Sequence, residues 1–126
     1  MRRDLHTRDT AQRATEGLLR LPAEDGPTAL FASQNLITIG AVTALHLHEL
    51  QHRVALVGFD DIELASMLEP GVTVVAQDPY AIGRAAAELL FARIDGYRGP
   101  SQHRTISTRL VIRGSGEIRP RAEVAA

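Results

Sequence analysis

The chain has 126 residues, 44% of them hydrophobic, and a formal net charge of −1. That is room for one domain with a packed core, and interspersed acids and bases leave no basic field to drive nucleic-acid binding by phosphate neutralisation. The lack of cysteine excludes disulfides, thiolate metal sites and cysteine nucleophiles, and agrees with a reducing compartment such as the cytoplasm.

The opening, MRRDLHTRDTAQRATEG, has bases but not the apolar segment of a secretory signal, and no stretch offers the roughly 20 apolar residues of a membrane span. Neither export nor membrane insertion is expected. Ala11, Ala14, Leu18 and Leu21 fall at helical spacing, which predicts a helix over 7–21 with Thr7 as N-cap and Pro22 as its stop. PAEDGPT is a loop by composition, and TALFAS after it is a short strand with a buried look.

The next helix, over 35–50, is apolar on two sides. Ile37, Ala41, Ala44 and Leu45 form one, and Leu36, Ile39, Thr43, Leu47 and Leu50 the other. A helix covering its own sheet needs a single stripe, so the second implies another helix or a partner chain, and self-association is the preferred reading. RVALVGF, 53–59, has no polar alternation and reads as a central strand buried on both faces. Residues 62–68 fit a short helix that EPG ends in a turn, and VTVVAQ, 72–77, is the next strand.

Asp78 and Pro79 make a helix start, N-cap then first helical residue. The helix that follows buries Ile82, Ala85, Ala86, Leu89, Leu90 and Ile94 on one stripe, pairs Arg84 with Glu88, and stops at Gly96. RTISTRLVIRG alternates as a strand, and beyond Gly114 a polar, alanine-rich tail is expected to fray. Strand and helix alternate throughout, which predicts an α/β fold: a parallel sheet with flanking helices and right-handed crossovers. Ligands in such sheets bind outside the carboxyl ends of the strands. Those ends are Ser33-Gln34-Asn35, Phe59-Asp60-Asp61 and Gln77-Asp78, all polar.

Three readings compete for Asp60 and Asp61: the cap of a helix beginning near Ile62, a metal or phosphoryl site, or contact with a hydroxyl-rich ligand. Capping accounts for at least one acid. Magnesium chemistry needs further oxygen ligands and a phosphate, and no phosphate-cradling glycine loop follows any strand. A carboxylate accepting from neighbouring hydroxyls holds a polyol, with Gln34, Asn35 and Gln77 as mixed donors and acceptors, so binding without chemistry is favoured. His46 and His48 lie roughly 200° apart on a helix. His48 and His52 sit at i, i+4 but lack a third ligand, so no metal site is expected. Ser33 with His6 or His103 lacks a nucleophile elbow. No enzyme activity and no cofactor is predicted.

In order, the pieces PTALFASQN, IGAVTAL, VALVGFDDIELASMLEPGVTVVAQD, IGRAAAELLFARIDG and TRLVIRGS resemble the effector-binding region of LacI/GalR-type transcriptional repressors over about 7–115. The resemblance implies a periplasmic-binding-protein-like type I fold, here truncated and lacking most of the first lobe. Residues 7–115 are then the C-terminal portion of the sensor domain, 1–6 and 116–126 are tails, and the helix-turn-helix domain is absent. It further implies that Asp60 hydrogen-bonds ligand hydroxyls while Asp61 is structural. Gln34 stands where an asparagine faces the ligand, Gln77 lines the cleft, and His6 takes the place of an aromatic ring that stacks on sugar or base. Ile39 and Leu68 fall in the dimer interface. The helix from Pro79 to Ile94 packs on the missing lobe, so the chain alone is expected to be only marginally stable.

The sequence departs from the family in three places: Ser33-Gln34-Asn35 replaces the usual AND triplet, a Val-Pro-Glu-Asp-like stretch before Val54 is missing, and His6 replaces Phe or Trp. All three bear on which ligand is bound. The expected partners are a carbohydrate or nucleoside effector, a second copy of the chain, and operator DNA through the missing domain only. The alternative is a solute-binding protein of a sugar ABC transporter.

Overall fold

The computed structural model describes residues 6–120. Its elements are α1 (Arg8–Leu19), β1 (Ala29–Ala32), α2 (Asn35–Leu47), β2 (Ala55–Phe59), β3 (Thr73–Ala76), α3 (Pro79–Ile94), β4 (Arg109–Val111) and a 3-10 turn at Ser115–Glu117. They fall into two units, one holding the residues up to Ala76 together with those from Leu110 on, the other Gln77–Arg109.

In the first unit, the strands join a four-stranded sheet of order β1-β2-β3-β4. β1, β2 and β3 pair in parallel, Ala32 opposite Gly58 and Gly58 opposite Val74, as the alternation of strand and helix predicts. Leu56 and Val74 are fully buried, with Ala32, Ala41, Leu45, Val54 and Val72 around them. Burying a side chain such as Leu56 contributes about 2 kcal/mol. β1 is less buried than its composition suggests: among the described residues it is an edge strand, and Phe31 is 64% exposed.

Thr7 caps α1 reciprocally. Its Oγ1 accepts from the Thr10 N–H at 3.2 Å, and the Thr10 Oγ1 accepts from the Thr7 N–H at 3.2 Å, which satisfies two otherwise free donors. α1 then packs on α2 through small residues. A Cβ at Gly40 would stand 2.5 Å from the Arg8 carbonyl and 2.7 Å from the Ala11 Cβ, and Ala11 and Ala44 are both fully buried. So α1 covers α2 at Gly40, beside the second side, while on that side Leu36 and Leu47 stay exposed and Ile39 and Thr43 half-exposed. On the sheet side, a Cβ at Gly58 would meet the Thr38 Oγ1 at 2.6 Å, so this glycine lets the first turn of α2 sit directly on β2.

Three local expectations change. Residues 62–68 form turns, not a helix, because Leu64 has φ +63°, which a right-handed helix cannot contain. Only Arg109–Val111 of the 104–114 stretch is strand. The tail does not fray at Gly114: Ser115 is buried, its hydroxyl donates to the Leu56 carbonyl at 2.6 Å and accepts from the Thr73 N–H at 2.9 Å, and Glu117 Oε2 accepts from the Gly114 N–H at 2.9 Å.

The second unit is α3 and the coil to Arg109. Asp78 Oδ1 caps the Ala81 N–H at 2.9 Å with Pro79 at the helix start, as predicted. The predicted burial of Ile82, Ala85, Ala86, Leu89, Leu90 and Ile94 is corrected: no residue of α3 is buried, and Ile94 is 66% exposed. The unit has no sheet of its own for the stripe to cover. Glu88 pairs with Arg104 from the following coil, in place of the expected Arg84.

Gly40→Ala is expected to destabilise the chain by about 1–3 kcal/mol through overpacking against backbone. Gly17→Ala, whose Cβ meets nothing within 4 Å, should stabilise it by about 0.5–1 kcal/mol. Urea unfolding of the two variants checks the contrast. Ser115→Ala leaves two buried backbone groups without partners and should cost about 2–3 kcal/mol in the same assay.

Candidate functional site

The parallel register gives the sheet one carboxyl edge, and the side chains gathered there follow from it. Ala32 pairs with Gly58, and beyond that row Gln34 follows the end of β1 while Asp60 follows the end of β2. Gln34 is still extended, at φ −160° and ψ 153°, and is the N-cap of α2 without a side-chain capping bond. Its carbonyl receives the Thr38 N–H and hydroxyl, while its amide is exposed at the edge.

Asp60 is the unusual member. Its backbone is left-handed at φ +68°, a conformation that short polar residues tolerate best after glycine. Its N–H still donates to the Val75 carbonyl at 3.0 Å. The residue is half-buried, yet Oδ1 is fully buried and has no hydrogen-bond partner among the described residues. A buried acceptor left unpaired costs about 1–3 kcal/mol. Such a site favours whatever brings a donor to it, a hydroxyl or an N–H.

Asp61, one residue on, faces elsewhere. Both carboxylate oxygens accept from Arg113, Oδ1 from Nη1 and Oδ2 from Nη2, each at 2.7 Å, and Oδ1 also accepts the Ile62 N–H at 3.0 Å. Two parallel charge-assisted bonds between a fork and a carboxylate form the strongest geometry available to such a pair. The bonds from Asp61 hold the Arg113 pKa above its ordinary value, against burial, which lowers it. The predicted helix cap is therefore corrected: no helix follows, and Asp61 bonds a single turn N–H and a distant arginine.

Of the other predicted site residues, His6 is exposed, one residue ahead of the Thr7 cap. Gln77 is exposed and opens the second unit, just before the Asp78 cap. Ile39 is half-buried on α2, and Leu68 is half-buried against the core cluster. Among the described residues, no three His, Asp or Glu side chains gather as a metal site, and no helix is long and apolar enough to cross a membrane.

Sequence reasoning missed Arg113 and Ser115. They stand 52 residues from Asp61 and 59 from Leu56 along the chain, and no local spacing links them.

Residues 2–116 match the family described as periplasmic binding protein-like domain. The chain is 33% identical over 116 residues to the HTH-type transcriptional repressor CytR of Escherichia coli (strain K12), covering 90% of this chain and 33% of that protein. It is 35% identical over 113 residues to the ribose operon repressor of Halalkalibacterium halodurans, covering 87% of this chain and 33% of that protein. Among solved structures, a LacI family transcriptional regulator from Arthrobacter sp. FB24 in complex with lactose superimposes with a TM-score of 0.72 at 30% identity, covering 89% of this chain and 42% of that one. The chain thus spans about a third of the length of the curated relatives it matches.

Proposed function

We propose that this chain, which belongs to the family of periplasmic binding protein-like domains, is the ligand-sensing part of a LacI-type transcriptional regulator and takes a small carbohydrate or nucleoside at the Asp60 edge. The observation that carries this reading is the buried, unpartnered Oδ1 of Asp60 at the carboxyl end of a central parallel strand. A turn of the side chain that brings Oδ1 out to the edge would let it accept a ligand hydroxyl without giving up an existing bond. Gln34 adds an amide with both donors and an acceptor on the same edge. The lactose bound by a structural relative, and the name of the ribose operon repressor, support a carbohydrate.

His6 and Gln77 are each proposed as ligand-contacting residues of the intact protein. Operator binding is assigned to a helix-turn-helix domain outside the described residues, consistent with a net charge of −1 in this chain. A cytoplasmic place and a non-enzymatic role follow from the same reading. The transporter alternative gains nothing from the relatives above, which are named as regulators.

Asp60→Asn keeps the shape of the side chain and replaces one carboxylate oxygen by an amide donor. It should leave the melting temperature nearly unchanged, while weakening D-ribose or lactose binding in calorimetry by about tenfold. A collapsed melting temperature with unaltered affinity in the remaining folded protein would sink the reading. For the second copy of the chain, the strip of Leu36, Ile39 and Leu47 on α2 is the proposed contact, and Leu68 is proposed as a further interface residue. Ile39→Glu is expected to shift a dimer to monomer in sedimentation equilibrium without lowering the monomer's stability.

A further inference from the structure

We propose that Arg113 is a positioning residue for the ligand site: through its two bonds to Asp61 it holds the neighbouring Asp60 in the left-handed conformation that aims its carboxylate inward. The proposal rests on the reading of Asp60 as the ligand-binding acid, and it adds the device that keeps that acid ready.

The geometry is a pair of anchors on either side of one Cα. Before it, the Asp60 N–H is tied to the Val75 carbonyl at 3.0 Å. After it, the next side chain is gripped by both Nη atoms of Arg113 at 2.7 Å. With both flanking peptides held, φ +68° at Asp60 is imposed on a residue that would otherwise prefer right-handed or extended backbone. Were the second anchor lost, rotation about Asp60 would carry Oδ1 from its buried, unpaired place into water, where it is solvated at no cost.

Arg113 is itself immobilised. Its Nη1 also donates to the Val72 carbonyl at 3.1 Å, and its N–H donates to the Thr73 Oγ1 at 3.0 Å. Thr73 in turn donates from Oγ1 to Glu117 and from its N–H to the Ser115 hydroxyl. The Arg113 side chain is 19% exposed against 42% for Asp61, so the arginine is the fixed partner and the acidic loop is what it fixes. A lysine, a point charge without the planar fork, cannot hold both oxygens at once.

The test follows amide hydrogen exchange by NMR in the full chain, comparing Asp60 with Leu56 in the buried strand. Arg113→Ala and, independently, Asp61→Asn should each speed exchange of the Asp60 amide by about tenfold and leave Leu56 unchanged. Arg113→Lys should lie between. The double variant should be no worse than either single one. Equal acceleration at both amides makes Arg113 a general stabiliser and overturns the proposal, and so does no acceleration at Asp60.

Calorimetry with D-ribose separates this from the functional reading. Arg113→Ala should weaken binding, and should weaken it no further when Asp60 is already Asn. If Asp60→Asn leaves ribose binding intact while the exchange result holds, the ligand assignment fails and the positioning of Asp60 stands.

Discussion

Everything at the carboxyl edge depends on the register of β2 between its two parallel neighbours. Ala32, Gly58 and Val74 lie in one row, and in a parallel sheet a shift of one residue would turn every side chain to the other face. The row is fixed by burial: Leu56 and Val74 have no exposed position to move to. It is also fixed by close approach, since Thr38 of α2 lies where a side chain at position 58 would have to be. Gly58 therefore belongs to the site as much as the acids that follow it, because it brings the start of α2, and with it Gln34, down onto the end of β2.

Two adjacent acids at that edge meet opposite fates. Asp61 is saturated by Arg113 and a turn N–H, whereas Asp60 keeps an oxygen with nothing to bond. The short stretch from Arg113 to Glu117 ties β3 and the Asp60–Asp61 loop into one polar network.

Local signals in the chain were clear where the responsible residues are neighbours. Thr7 and Asp78 act as caps through bonds that span three residues, so their motifs are readable one turn at a time. The buried runs of β2 and β3 and the parallel order followed from periodicity and alternation in the same way. What failed was where a local pattern had to know its surroundings. α3 has a correct stripe but no sheet within its unit to bury it. Residues 62–68 have helix-compatible spacing, but Leu64 is left-handed. The polar tail looked ready to fray, yet it carries Ser115 into the core.

By itself, then, the sequence determined the fold class, the helix starts, the central strands and the polar character of the carboxyl edge, because each is encoded in contacts a few residues long. Only the tertiary structure decided which of two neighbouring acids is gripped by an arginine 52 residues away and which holds a buried oxygen without a hydrogen-bond partner among the described residues. That choice depends on backbone direction at one residue and on a partner brought in by sheet pairing, and chain separation erases both from any local pattern.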